Sequence, residues 1–144
     1  MTKFTVGALA VIVDKDGRIL LVKKNYDNMG WQLPGGFLEE GESAQHALKR
    51  ELREELDLSI DGITLAGIYH KVYENNLSIV FYCDRVTGNP TPDRKEISEV
   101  TYFESQALPK QLSARSRLVI RDCLSRPTIP LVWSFSAPET LIGR

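Results

Sequence analysis

Cysteine and histidine are scarce in this chain, with two of each among 144 residues. Cys83 and Cys123 lie far apart in apolar surroundings and outside any CxxC spacing. Neither a disulfide scaffold nor a Cys/His zinc cluster is therefore available, and both thiols are expected to be buried and free. His46 and His70 fall in a helical and a strand-like pattern, where structural roles are expected. An excess of charge is missing too: 18 basic and 19 acidic residues leave a formal net charge of −1. That excludes a global basic field for duplex nucleic acid and a polybasic membrane anchor. No apolar run approaches the roughly 18 residues of a membrane span, so no membrane partner is expected. The opening MTKFTVGALAVIVDKDG has a lysine followed by apolar residues, as a secretory leader does. It lacks a convincing cleavage site and runs into the turn-forming Asp14-Lys15-Asp16-Gly17, so it reads as a buried first strand of a cytoplasmic protein.

An apolar content of 42% is enough to close one core. Residues 1–126 are expected to form the domain, as a monomer or homodimer. Residues 127–144 hold three prolines and the isolated Leu131, Trp133 and Phe135, and read as an extended tail of the same domain, packed or partly disordered. Thr5 to Val13 is a nearly continuous apolar run, as in a strand covered on both faces, and Ile19 to Val22 reads as its hairpin partner. Trp31 to Leu33 is a short extended piece, and Pro34-Gly35-Gly36 predicts a turn. Ala44, Ala47, Leu48, Leu52 and Leu56 recur at helical spacing behind Ser43, a suitable N-cap. Strands are expected at 63–73 and 77–86, joined through Glu74-Asn75-Asn76, and at 100–103, with a second helix over 113–124. Strands mixed with two helices predict an α+β fold in which a mixed sheet lies between helices, an α/β/α sandwich.

The richest stretch is Gly36 to Leu58, GFLEEGESAQHALKRELREELDL. On a helix, Glu51, Glu54 and Glu55 share one flank, beside the Leu48, Leu52 and Leu56 stripe that faces the core. A Glu/Arg-rich helix is ordinarily a solvated face laced with ion pairs. Two neighbours argue otherwise here. Pro34-Gly35-Gly36 lets backbone approach a phosphate closely, and Glu39-Glu40-Gly41-Glu42 adds carboxylates before the helix. Crowded carboxylates call for a hard cation, Mg²⁺ or Mn²⁺, and so for metal-assisted phosphate chemistry.

Gly36, Glu42 and the run Arg50-Glu51-Leu52-Arg53-Glu54-Glu55-Leu56-Asp57-Leu58 resemble the Nudix box of the MutT-like hydrolases. One fixed position departs: Asp57 stands where the family has glycine. A left-handed residue is expected there, which Asp tolerates at a cost of about 1 kcal/mol. The resemblance implies a Nudix fold and a Mg²⁺-dependent (or Mn²⁺-dependent) pyrophosphohydrolase acting on a small nucleotide. It would split a nucleoside diphosphate-X into a nucleoside monophosphate and phospho-X by metal-activated water. It also implies Glu51, Glu54, Glu55 and the Gly35 carbonyl as metal ligands, Arg50 as the residue orienting the glutamates, and Glu42 as support for the loop. Gly35 and Gly36 would line the cofactor site. Glu51 or Glu54 could be the general base. A further carboxylate often completes the metal site in this family, and Glu96 is the first candidate here, Glu99 the second.

Trp31, Tyr69, Tyr73 and Tyr82 are candidates to stack on substrate, and Lys23 and Lys24 to touch phosphate. ADP-ribose, nucleotide sugars, dinucleoside polyphosphates and damaged triphosphates all stay open as substrates. Tyr73 stands fifteen residues after Leu58, where an ADP-ribose-type enzyme is expected to carry proline and where the tyrosine of a dinucleoside-polyphosphate type would come slightly later. The alternative function is a catalytically silent, nucleotide-binding sensor module, which would be expected to have lost one or more of the carboxylates kept here.

Overall fold

The computed structural model describes residues 2–25, 30–125, 131–137 and 140–143. In chain order the elements are β1 (Thr5–Ile12), β2 (Ile19–Lys24), β3 (Trp31–Gln32), β4 (Gly35–Phe37), α1 (Ala44–Leu56), β5 (Ser59–Asp61) and β6 (Thr64–Lys71). A 3-10 turn (Val72–Glu74) leads to β7 (Asn76–Cys83), β8 (Arg85–Thr87), β9 (Ile97–Phe103), α2 (Ala114–Ser125), β10 (Leu131–Ala137) and β11 (Thr140–Gly143). A six-stranded mixed sheet runs β11-β10-β6-β7-β1-β4, a three-stranded sheet β3-β2-β9, and β5 pairs with β8.

Residues alternate across a strand, so β1 can serve two cores at once. Ala8, Ala10 and Ile12 pack with Ala47, Leu48, Leu52 and Leu56 of α1. Val11, on the other face, joins Tyr69, Val80 and the α2 residues Val119, Ile120 and Cys123. The mixed sheet therefore lies between the two helices, as the sequence predicts. Cys83 and Cys123 are buried and free. No helix among the described residues is long and apolar enough to cross a membrane.

The α1 boundaries follow from local chemistry. Ser43 accepts a hydrogen bond from the His46 N–H, an N-cap that satisfies one of the first-turn donors. Asp57 closes the helix in the left-handed conformation, at φ 54° and ψ 38°. Its N–H reaches the Arg53 carbonyl at 3.1 Å and the Leu58 N–H reaches Leu52 at 3.2 Å, pairing carbonyls the helix itself leaves open.

Three expectations are corrected. The hairpin partner of β1 is not β2: β1 pairs parallel with β7 and antiparallel with β4, while β2 pairs with β3 and β9. The two strands share only the Val13–Ile19 bridge beside the Asp14–Arg18 turn. A strand apolar on both faces announces its burial but not its partner. The Pro34-Gly35-Gly36 turn is in fact the entry to an edge strand, with Gly35 opposite Leu9 and Gly36 opposite Ala8. Gly35 has φ +140°, and a Cβ there would collide with the Ala8 carbonyl, so glycine is what allows β4 to close on β1. The third correction is that the 77–86 run is two strands, with β8 leaving to pair β5.

In the tail, β10 adds to the sheet parallel to β6, from Leu131 opposite Gly67 to Phe135 opposite Lys71. Phe135 is 2% exposed and belongs to the α2-side core. The side chains of Leu131 and Trp133 lie outside the described residues. Phe135→Ala is expected to lower unfolding free energy by about 3–5 kcal/mol, read by urea denaturation. An unchanged midpoint would contradict the packing of β10 on the body.

Candidate active site

Glu51 and Glu55 project from α1 toward the β4 edge of the sheet. A Cβ on Gly36 would stand 2.5 Å from the Glu51 carboxyl carbon, so the missing side chain makes the space that carboxylate occupies. Glu55 is 6% exposed and touches Glu51 and Glu96. Burial disfavours its charge, the two neighbouring carboxylates disfavour it further, and together they push its carboxyl up to about 9.

Glu96 arrives from the loop before β9, and that loop is fastened to α1. The Thr91 N–H donates to the Leu56 carbonyl and the Asp93 N–H to the Glu55 carbonyl, both at 2.9 Å. One Asp93 carboxylate oxygen in turn accepts from the N–H groups of Lys95, Glu96 and Ile97 at 2.9–3.0 Å. Burial works against the Asp93 charge, but these backbone donors outweigh it and hold its carboxyl below the usual range. Asp93 thus sets the backbone that carries Glu96, and sequence reasoning missed it. The signal was available in Pro92-Asp93, since Asp folds back onto backbone N–H groups two to four residues on.

Arg50 braces the other side. Its Nε and Nη2 donate to the two Glu42 carboxylate oxygens at 2.6 and 2.9 Å, and Nη1 donates to Glu51 at 3.0 Å and Glu54 at 3.3 Å. The two-pronged geometry is the strong one for a guanidinium and a carboxylate. Glu42 also accepts the Glu39 N–H at 3.0 Å, closing the loop before the helix. The Arg50 bonds, reinforced by that N–H, hold the Glu42 carboxyl down at about 2 against an ordinary 4.5.

Glu51, Glu55 and Glu96 are brought together with Gly35 and Gly36 on the wall of one cleft of about 450 Å³. Glu54 is not on that wall. At roughly 100° per residue it lies about 60° from Glu51 on the side away from Glu55, and it is 60% exposed. Glu99 also lies off the wall and pairs with Lys23 at 3.5 Å. Lys24, Trp31 and Tyr69 line the cleft, whereas Lys23, Tyr73, Tyr82 and both histidines do not. Trp31 meets Phe103 edge to face with ring centres 4.9 Å apart, and the Tyr69 hydroxyl donates to Asp122 at 3.2 Å. Among the described residues no three His, Cys, Asp or Glu side chains stand arranged to hold a metal ion.

A family model described as NUDIX domain matches residues 3–123. An ADP-ribose pyrophosphatase of Methanocaldococcus jannaschii is 36% identical over 117 residues, covering 77% of this chain and 68% of that protein. An NAD-capped RNA hydrolase NudC of Vibrio atlanticus is 28% identical over 102 residues, which are 70% of this chain and 38% of the relative. Among solved structures, a MutT NUDIX hydrolase from Burkholderia pseudomallei matches with a TM-score of 0.77 at 27% identity, covering 84% of this chain and 98% of that one.

The Glu42–Arg50 pair has a definite pH signature. A carboxyl held below its unfolded value stabilises the fold fully above that value, and the contribution is lost as pH falls through the folded one. Glu42→Gln is therefore expected to be less stable than the parent at pH 7, with the gap closing between pH 4.5 and about 2. Urea denaturation across that range checks it, and a gap independent of pH would contradict the pairing.

Proposed function

The chain belongs to the NUDIX family, and from that premise we propose that it is a divalent-metal-dependent pyrophosphohydrolase. Water adds to one phosphorus of a nucleoside diphosphate-X, the phosphoanhydride bond breaks, and a nucleoside monophosphate and phospho-X leave. The observation that carries this reading is the meeting of Glu51, Glu55 and Glu96 beside the glycine strand β4.

An all-oxygen, all-carboxylate donor set suits Mg²⁺ or Mn²⁺, and like charges packed this closely are what a cation relieves. Glu51, Glu55, Glu96 and the Gly35 carbonyl would hold it, and Glu54 stands on the outer flank of the same helix. When bound, the metal supplies charge neutralisation at the phosphate oxygens and a lowered pKa for water. The chain supplies the rest. Arg50 orients Glu51 and Glu54 from outside the cleft, and the Asp93 loop holds Glu96 against Glu55. Glu51 and Glu54 are the candidates to take the proton from the attacking water. Lys24 brings positive charge to the same wall. The relatives' names mention ADP-ribose and NAD, compounds that join two moieties through a diphosphate, which suits the nucleoside diphosphate-X class.

Two substitutions test the assignment. Glu55→Gln keeps the shape but removes the ionisable group. Turnover of nucleoside diphosphate-X compounds in Mg²⁺ or Mn²⁺ is expected to fall roughly 10²-fold or more, the scale for losing a group that supports transition-state charge. Thermal stability of the metal-free protein should be unchanged or higher, because Gln cannot take the charge that burial and the neighbouring carboxylates disfavour. Glu54→Gln should likewise lower turnover strongly with the fold intact. Near-normal turnover in both would overturn the assignment, and product analysis in heavy-oxygen water would show which phosphorus is attacked.

A further inference from the structure

The end of the cleft remote from the carboxylates is cationic. Arg115, in the first turn of α2, lines it, and its Nη1 donates to the Tyr73 hydroxyl at 3.0 Å. Among the described residues no carboxylate lies within ion-pair distance of this guanidinium. Lys71 lines the same end with its side chain 19% exposed and pairs with the half-exposed Glu74 at 3.2 Å. The local balance is one net positive charge. A half-buried guanidinium facing a neutral phenol is electrostatically unsatisfied, because removing charge from water is costly unless an opposite charge replaces the lost hydration.

This charge belongs to a different part of the cleft wall from Glu51, Glu55 and Glu96. Tyr73 lies in the 3-10 turn after β6, and β6 lies three strand intervals from β4, whose Gly36 packs against Glu51 of α1. At the usual interstrand spacing that is roughly 14 Å. The wall also carries Leu9, Val80 and Val119 together with the polar Asn76, Ser78, Ser113 and Ser116. The cleft thus carries a carboxylate cluster and, elsewhere on its wall, the cationic Arg115 and Lys71.

We propose that Arg115 is a specificity-determining residue that binds a second anionic group, a phosphate or carboxylate, carried by the substrate away from the diphosphate that is cleaved. The assignment rests on the pyrophosphohydrolase reading above and deepens it: the substrate is a nucleoside diphosphate-X with an additional anion. A carbonyl edge of a base could accept two guanidinium N–H groups but would leave the charge uncompensated, whereas phosphate or carboxylate satisfies both. Tyr73 is the positioning residue that aims Arg115.

Matched pairs that differ by one anion test this: coenzyme A against its dephospho form, NADP⁺ against NAD⁺, and UDP-glucuronate against UDP-glucose. In at least one pair kcat/KM is expected to favour the anionic member by roughly tenfold, the scale of one charge-assisted hydrogen-bonded contact. Arg115→Ala should bring that ratio near one. Arg115→Lys should keep part of it, and Tyr73→Phe should raise KM for the anionic member more than it changes kcat. Arg117→Ala, on the same helix but off the cleft wall, should leave the ratio alone.

Calorimetry with adenosine 3′,5′-bisphosphate against adenosine 5′-monophosphate reads the same subsite without turnover. Absence of hydrolysis with intact discrimination in binding would overturn the enzyme reading and leave the subsite standing. Equal binding of the two nucleotides together with equal kcat/KM in every pair would overturn the subsite. So would a preference that follows the base, guanine over adenine, and disappears in Arg115→Ala.

Discussion

Carboxylates that share a site repel one another unless something positive stands between them, and the organisation of this protein around β4 and α1 follows from that constraint. Glu51 and Glu55 are one helical turn apart, and Glu96 is pressed against Glu55 by a loop fastened to the helix end. Burial and the adjacent Glu51 and Glu96 carboxylates push the Glu55 carboxyl well above the ordinary range. The surrounding structure resists the repulsion. Arg50 ties Glu51 to Glu42, and the backbone donors on Asp93 hold the Glu96 segment in place. A fold that merely tolerated these charges would have let Glu96 swing into solvent. Holding it in place costs stability, and is compensated when a ligand that binds only the folded state arrives.

The glycines of β4 connect this electrostatic arrangement to the fold. Gly35 lets the strand close on β1, and Gly36 leaves the space in which the Glu51 carboxylate sits. Since β1 also pairs with β7, and β7 with β6, the same sheet carries the wall of the cleft from the carboxylates to the cationic pole. Cleft polarity is therefore a property of the strand order.

Local chemistry was legible in the sequence. Ser43 and the leucine spacing gave α1, and Asp57 takes the left-handed conformation the resemblance called for. Glu96 was named as a candidate from outside the helix, and it stands against Glu55. What was not legible is non-local. The apolar run of β1 announced burial on both faces but not β7 and β4 as partners. The three neighbouring glutamates looked equivalent, yet burial separates Glu55 from the exposed Glu54. Arg115 and Lys71 are more than forty residues apart and unremarkable in sequence. Only the pairing of β6 with β7 and the docking of α2 bring them to one cavity.

The central claim is that Glu51, Glu55 and Glu96 form a site for a divalent cation. It is tested most directly by Mn²⁺ titration of the nucleotide-free protein, followed by electron paramagnetic resonance of the free ion. The account predicts saturable binding that weakens roughly tenfold or more in Glu51→Gln and in Glu96→Gln. Undiminished Mn²⁺ affinity in both variants would contradict it.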